Sequence, residues 1–531
     1  MQTNGATRGA NDFLIVLRSE SIYFDGFLPQ SKLEVRVARM TRITSQLLSF
    51  YRSNPHGLPH PVSQRHDIST DIELFKLNCK NSDWPLDPCF LVPAIIDALR
   101  ETEAYRAKAR LVPSEADGTC AAAVRCKGGI VLSSDSDLLV HDLGCGRVAF
   151  FRDMQQDHEC KIVYLAFAPQ KVLNDAGLPH PGKIVHLAYE RTRSPQSSFA
   201  QLLKRCARTV PQSRDYEKFR QQYTEGSDFP FSIAFQSSTL QSLDPRISEV
   251  ILDFSSRERF ASQHLPIRMF LPQLIEHPER KSAWDRSSFV RQVAYIMLNT
   301  CASTQHLIKA VHEFRRVQKS SQAGRLVEMI TQDLAAQYIN EILSCAAAIG
   351  DNPPRHNTLF WIFLAIAIDE LESRRRGDAS ILHMLGEHIM DCRTNDDEPA
   401  IAWNMIHSTA CIHGILYSFR IVRQVLSSVC SDRLHERLPN TDSLTELFSQ
   451  LIPLHAYPQG IEVVRLAHDL QKLGLDQVID VVVGKSLRDD EDEDPFHTGV
   501  HDADENHNIT PVQMSPPGHT SRNMFAYLSI E

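Results

Sequence analysis

The feature that most constrains the fold is an alternation of strand-like and helix-like segments in the first third of the chain. A short β-type run at residues 21–24 precedes two segments with helical periodicity, at residues 32–51 and 90–107. The pattern continues with a brief strand at 111–112, a helix at 113–126, a buried strand at 130–132 and two edge strands at 146–151 and 162–167. Alternation of this kind predicts an α/β domain with a mostly parallel sheet.

The rest of the chain has a different character. From about residue 197 the apolar spacing is helical almost throughout, with a single β-like run at residues 249–254. The sequence predicts long helices at 285–317, 323–349, 357–376, 403–429 and 461–483. Residues 486–531 combine an acidic block with few core-forming side chains, which is typical of disorder. We therefore predict an α/β domain at residues 1–195, an α-helical domain at 196–485 and a disordered acidic tail at 486–531.

Charge and composition exclude several classes of protein. The tail carries ten acids and two arginines, so it holds -8 of the net charge of -9, and the remainder is close to neutral. A nucleic-acid partner is therefore not excluded. The longest apolar run in a helical pattern, residues 359–368, is far shorter than the roughly 20 residues that span a bilayer. With no signal-like leader and twelve scattered cysteines lacking any CxxC pair, we expect a nuclear or cytoplasmic protein that is neither secreted nor membrane-bound.

Five carboxylates stand at positions where an α/β sheet gathers functional groups. Asp25 ends the first strand, Glu115 and Asp117 open a helix, and Asp135 and Asp137 follow a later strand. Carboxylates held close together raise one another's pKa unless a cation relieves the repulsion. Because oxygen ligands favour Mg²⁺ or Mn²⁺, the pattern predicts a site for one of these ions. The alternative is that turn and capping preferences alone placed these residues.

A basic face follows Asp25. Lys32, Arg36, Arg39 and Arg42 recur at helical spacing, so one side of the predicted helix presents several cations. Such cations could attract a phosphate and stabilise its developing charge. The alternative is an ordinary solvated face opposite an apolar stripe.

Two motifs resemble those of the flap-endonuclease superfamily of nucleases, which has a PIN-like fold. Residues 113–117 (Pro-Ser-Glu-Ala-Asp), a helix, a strand and residues 134–139 (Ser-Asp-Ser-Asp-Leu-Leu) resemble its internal motif. Residues 22–26 (Ile-Tyr-Phe-Asp-Gly) are similar to the end of its N-terminal motif. Within the superfamily, the sequence is most similar to the asteroid family, a fungal and animal branch. The similarity lies in residues 23–29, 138–144 and 282–285, together with Arg291 and Tyr295.

The resemblance implies specific roles. Asp25, Glu115, Asp117, Asp135 and Asp137 would ligate Mg²⁺ or Mn²⁺. Lys32, Arg39 and Arg42 would bind the scissile phosphate, because they follow Asp25 at the offsets of the superfamily's phosphate-steering cations, and Lys32 and Arg39 would also act in catalysis. The implied partner is nucleic acid, DNA or RNA, with DNA favoured over RNA. In the alternative scaffold interpretation, the helical domain would bind protein partners.

Departures from the superfamily pattern leave the activity open. The superfamily's first strand and its acid are expected to be missing, since only 24 residues precede Asp25. The superfamily's further acid, in a Gly-x-Asp turn, is absent. Glu190, 53 residues beyond Asp137, is the candidate substitute for it, but a single Glu beside two arginines is expected instead to form a surface ion pair. The sequence thus predicts a metal-dependent, structure-specific nuclease acting on phosphodiester bonds. The alternative is a catalytically degenerate nuclease fold that serves as a nucleic-acid-binding or protein-interaction scaffold. A phosphatase-type role for Asp135 and Asp137 fits less well, because no matching downstream lysine and aspartate follow.

Overall fold

A computed structural model describes a defined set of residues along the chain. They are 20–28, 32–57, 88–156, 161–178, 180, 182–224, 238–257, 267–301, 308–317, 322–351, 353–385, 401–429, 431–460, 462–463 and 466. The predicted tail at 486–531 and nearly all of the helix predicted at 461–483 lie outside these residues.

The described part of the chain alternates short strands with helices of up to 26 residues. The strands are β1 (Ile22–Phe24), β2 (Ala109–Leu111), β3 (Ile130–Ser133), β4 (Arg147–Phe150), β5 (Gln155–Gln156), β6 (Ile162–Val163), β7 (Ala166–Phe167), β8 (Ile267–Phe270), β9 (Ala310–Arg316) and β10 (Gln322–Glu328). The α-helices are α1 (Leu33–Ser53), α2 (Leu91–Glu101), α3 (Glu103–Arg106), α4 (Ala116–Arg125), α5 (Pro169–Asp175), α6 (Lys183–Arg193), α7 (Phe199–Cys206), α8 (Arg214–Thr224), α9 (Ser238–Gln241), α10 (Pro245–Arg257), α11 (Ser288–Cys301), α12 (Gln332–Ile349), α13 (Thr358–Arg376), α14 (Trp403–Ser428), α15 (Ser431–His435) and α16 (Thr441–Ser449).

The described residues fall into two compact units. The first contains those up to Leu111 and those from Ser238 onward, and the second contains those between Val112 and Thr224. The division into domains at residues 195 and 485 stays a prediction. The mixed α/β class is confirmed. Among the described strands there are four small sheets, each of two or three strands, and a mostly parallel PIN-like sheet likewise stays a prediction.

The second unit is organised around the sheet of β3, β4 and β7. β3 runs parallel to β4 with Ser133 beside Phe150, and β7 runs antiparallel to β4 with Phe167 beside Val148. Helices α6, α7 and α8 pack together in the same unit. Their apolar faces join the sheet in one core, whose buried residues include Leu138, Leu139, Val148, Phe150, Leu187, Tyr189 and Tyr216.

A fully buried ion pair stands at the centre of the first unit. Arg291 of α11 and Glu313 of β9 have side chains that are 0% exposed, with 2.7 Å between Nε and Oε1 and 2.8 Å between Nη2 and Oε2. Tyr295 donates a hydrogen bond to Glu313, and Arg291 donates to Ser287 and to Ser418 of α14. Burial alone would raise the pKa of Glu313, but Arg291 lowers it below its ordinary value. The pair therefore ties a strand to two helices.

The β-like run predicted at residues 249–254 was wrong, because these residues lie within α10. The side-chain oxygen of Asp244 accepts a hydrogen bond from the backbone N–H of Arg246, which favours a helix start. Ile247, Val250 and Phe254 are buried at helical spacing. β-branched side chains suggested a strand, but the spacing of the buried positions is that of a helix.

The helices predicted at 285–317 and 323–349 were correct only in part. α11 and α12 occupy much of them, but β9 and β10 occupy the rest and pair with each other antiparallel. β9 does not show the alternation of apolar and polar residues that marks a strand, because charged residues occupy buried positions. Each of these buried charges is neutralised by an ion-pair partner. These ion pairs are Glu313–Arg291, Arg315–Asp285 and Arg316–Glu276. The helices predicted at 357–376 and 403–429 are confirmed as α13 and α14.

Helix length and polarity bear on membrane insertion. Within the described part of the chain, every helix is too short or too polar to cross a bilayer.

Breaking the buried pair of Arg291 and Glu313 should destabilise the protein strongly. Glu313→Ala leaves a buried guanidinium without its counter-ion, and we expect a loss of roughly 3–5 kcal/mol in the free energy of unfolding. The double variant Arg291→Met, Glu313→Leu removes both charges and should recover most of this loss. Urea unfolding of the three proteins measures the effect. A double variant as unstable as the single one would contradict the ion-pair explanation.

Candidate metal and phosphate site

Asp135 and Asp137 lie at the carboxyl end of β3, as the sequence predicts. Asp137 belongs to a 3₁₀ turn, Ser136–Leu139, and Asp135 caps its start: the Oδ1 of Asp135 accepts a hydrogen bond from the backbone N–H of Asp137 at 2.9 Å. Leu138 and Leu139 are buried in the core of the second unit. Because these two leucines anchor the turn, the backbone that carries both aspartates is fixed.

Glu115 and Asp117 lie at the start of α4. Glu115 occupies the capping position, but its side chain makes no capping hydrogen bond, and Asp117 lies in the first turn. The positive end of the helix dipole favours acids there. At its other end, α4 turns into β3 through Gly128 and Gly129, whose φ angles of 72° and 108° suit glycine. α4 packs against both β3 and the 3₁₀ turn, so the two pairs of acids come from neighbouring elements.

Tyr223 of α8 shows that these four carboxylates converge. Burial raises the pKa of its phenol well above the ordinary value, and charges raise it further. In order of decreasing effect, those charges are Asp137, Asp135, Asp117 and Glu115. Since charge interactions weaken with distance, all four carboxylates lie near one hydroxyl group. The ring of Tyr223 also contacts His141, with 5.2 Å between ring centroids.

The cluster is open to solvent. Asp135 is exposed, and Glu115, Asp117 and Asp137 are half-buried. Among the described residues, no three His, Cys, Asp or Glu side chains are grouped closely enough to hold a metal ion between them. The donors nevertheless fit the predicted ion in kind, because all four are carboxylates, the oxygen ligands that Mg²⁺ and Mn²⁺ favour. A Mg²⁺ site of this type usually keeps several waters and needs few protein ligands.

Asp25 and the basic helix belong to the first unit. Asp25 follows β1 directly and is exposed, and Lys32 caps the start of α1. Arg39 and Arg42 are exposed on one face of that helix. Arg36 has another role, because its Nη1 donates to Glu249 at 2.8 Å and its guanidinium stacks over Phe270. Arg36 therefore supports the fold, whereas Arg39 and Arg42 are available to a ligand.

Two further residues qualify the sequence analysis. Glu190 faces Arg205, with 3.5 Å between Oε2 and Nη1, which agrees with the expected ion pair. Tyr223 was missed by sequence analysis. Tyr216, Phe219 and Tyr223 recur at helical spacing along α8, and this spacing indicates that they face the core. It does not indicate that carboxylates lie near Tyr223.

Comparison with protein-family models relates part of the chain to a known family. Residues 87–328 match the family model of XPG-domain-containing proteins. No curated protein and no solved structure matches the chain significantly. The matched region includes Glu115, Asp117, Asp135 and Asp137 and supports the XPG-type nuclease superfamily expected from the motifs. The asteroid family in particular stays a prediction.

Neutralising part of the cluster should stabilise the protein. Asparagine caps a helical turn as aspartate does, so Asp135→Asn with Asp137→Asn removes repulsion and keeps the hydrogen bond. We expect the melting temperature to rise by about 2–4 °C. Millimolar Mn²⁺ or Mg²⁺ should raise the melting temperature of the wild type but not of this variant, because only the wild type binds the ion.

Asp142→Asn is the matched control. Asp142 is an exposed carboxylate of the same unit, paired with Arg125, and is not one of the four that act on Tyr223. This variant should keep the response to the ion. An equal response in the wild type and in the Asp135, Asp137 variant would contradict metal binding by these two residues.

Proposed function

Taking the XPG-type nuclease domain as the premise, we propose that the chain is a divalent-metal-dependent, structure-specific nuclease that cleaves phosphodiester bonds, in DNA rather than RNA. The observation that carries this proposal is that α4, whose start carries Glu115 and Asp117, packs against β3 and the 3₁₀ turn that carry Asp135 and Asp137 to the same place. These four carboxylates are also the charges that raise the pKa of the Tyr223 phenol beyond the effect of burial, and a perturbed group beside an accessible cluster is typical of functional sites.

The carboxylates would hold Mg²⁺ or Mn²⁺. Such ions, when bound, activate a water and stabilise the leaving oxygen. The chain's own contribution is to position the donors: the 3₁₀ turn fixes Asp135 and Asp137, and the first turn of α4 fixes Glu115 and Asp117. Because the cluster is partly exposed, a phosphodiester can reach it from solvent.

Asp25 would be a fifth ligand, and its inclusion rests on the sequence motif. Lys32, Arg39 and Arg42 would bind the scissile phosphate, with Lys32 and Arg39 stabilising the charge that develops on it.

A second candidate function is a degenerate nuclease fold that binds nucleic acid or protein without cleaving it. It is favoured by Glu190, the acid that could replace the missing Gly-x-Asp carboxylate. Glu190 is engaged by Arg205 and lies 3.9 Å from His186, and it is not among the carboxylates that act on Tyr223.

A cleavage assay separates the two functions. Labelled single-stranded, flap and duplex substrates are incubated with the full chain and Mg²⁺ or Mn²⁺. We expect the wild type and the Asp142→Asn control to cleave and the Asp135→Asn, Asp137→Asn variant to fall to background. Asp25→Asn tests the fifth ligand in the same assay. Binding without cleavage by the wild type would exclude the nuclease and leave the scaffold.

The basic face of α1 should contribute to affinity through phosphate contacts. Replacing Arg39 and Arg42 with alanine should reduce the slope of log K against log salt by about two, since each phosphate contact contributes about 0.9 for duplex DNA. Arg52→Ala removes an exposed cation from the last turn of the same helix and should leave the slope unchanged. A salt titration by fluorescence anisotropy measures both. An unchanged slope in the double variant would refute phosphate binding by this face.

A further inference from the structure

Apolar side chains are exposed together in one part of the second unit. Phe151 is 48% exposed, Val163 46%, Tyr164 38% and Leu165 55%. They lie where β4 ends and where β6 continues into β7. Single exposed apolar residues are ordinary, but a group confined to one edge indicates an interaction surface.

The sheet register places this group beside the carboxylates. β3 and β4 are parallel with Ser133 beside Phe150, so the residues that follow them leave the sheet at the same edge. Asp135 comes two residues after Ser133, and Phe151 comes directly after Phe150. Phe151 therefore belongs to the strand end next to the one that leads into the carboxylate cluster.

The antiparallel strand brings a second aromatic residue to that edge. β7 pairs with β4 in a register that joins Val148 to Phe167 and Ala149 to Ala166. β7 therefore begins beside Ala149, and Tyr164 precedes β7 by two residues, near the end of β4. Phe151 starts a 3₁₀ turn, Phe151–Asp153, directly after β4, so both aromatic residues lie near the end of this strand, next to the end of β3.

Cations accompany the aromatic residues. Arg152 follows Phe151 directly and is half-exposed, with its guanidinium 4.9 Å from the ring centroid of Phe150 and its Nε 3.5 Å from Oδ1 of Asp153, which is the less exposed partner of this pair. Lys161 is exposed and directly precedes β6. Aromatic faces for bases combined with cations for phosphates are the chemistry of single-strand binding. A duplex hides its base faces, and a purely aliphatic partner would not need the cations.

We propose that Phe151 and Tyr164, with Arg152 and Lys161, form a stacking surface for unpaired nucleotides next to the carboxylate cluster. The choice of nucleic acid as the ligand rests on the proposed function. In this arrangement a single strand crosses the edge of the sheet, so that its bases stack on the two rings while a neighbouring phosphate approaches Asp135 and Asp137. The surface selects unpaired segments over continuous duplex.

Binding without catalysis tests the surface. Affinity for a fluorescent oligothymidine and for a duplex of equal length is measured in EDTA, in the Asp135→Asn, Asp137→Asn background to limit repulsion of phosphates. Phe151→Leu and Tyr164→Leu keep apolar bulk and remove the aromatic face. Each should weaken single-strand binding about tenfold and leave duplex binding unchanged. Tyr164→Phe should retain the affinity.

A second readout reports stacking itself. 2-Aminopurine in the oligonucleotide is quenched when it stacks on an aromatic ring, and this quenching should be lost in the Phe151→Leu, Tyr164→Leu protein. Leu326→Ala is the matched control, because Leu326 is exposed on β10 in the first unit and should affect neither readout. Circular dichroism melting verifies that each variant is folded.

The outcomes are distinct from those of the cleavage assay. Loss of single-strand affinity and of quenching supports the surface even if the wild type cleaves nothing. Unchanged single-strand affinity in the folded double variant would overturn the proposal, and so would an equal loss for duplex. In either case the exposed edge would be assigned to protein contacts instead.

Discussion

Repulsion among four carboxylates is the constraint on which the organisation of the second unit depends. Like charges gathered near one partly buried phenol oppose folding, so the backbone that carries them must be held by other means. Leu138 and Leu139 supply this anchorage for one pair of acids, and the packing of α4 against β3 supplies it for the other. The packing of the apolar core offsets the unfavourable free energy of bringing the carboxylates together. Functional sites commonly depend on the rest of the fold in this way.

Charge is balanced differently at the buried ion pairs of the first unit and at the carboxylate cluster of the second. In the first unit, buried carboxylates face arginines, as Glu313 faces Arg291 and Glu276 faces Arg316, and these pairs join strands to helices. In the second unit, the four charges with the largest effect on Tyr223 are all negative. In a structural ion pair, the chain itself supplies both charges. In a group of acids, a cation from solution is needed to reduce the repulsion between the carboxylates. The paired charges therefore stabilise the fold, whereas the group of acids marks the proposed functional site.

Sequence patterns predicted the local parts of the site. Strand, turn and helix starts around Asp135 and Glu115 follow from short-range signals, so they could be located from the sequence. Tyr223 could not be linked to them, because it lies on a helix far along the chain and only tertiary packing brings it there. β9 was missed because its buried charges obscure alternation, whereas the strands next to Phe151 and Tyr164 lie within the strands predicted at 146–151 and 162–167.

The most direct test of the account is whether a paramagnetic ion binds beside Tyr223. Incorporation of 3-fluorotyrosine labels the twelve tyrosines, and Tyr223→Phe identifies the ¹⁹F resonance of Tyr223. The account predicts that Mn²⁺ broadens this resonance at lower concentration than the others, and that Mg²⁺ in excess reverses the effect. It also predicts that Asp135→Asn with Asp137→Asn abolishes the broadening. A Tyr223 resonance that stays sharp in the wild type, or broadens equally in the variant, would contradict a divalent-metal site formed by these carboxylates.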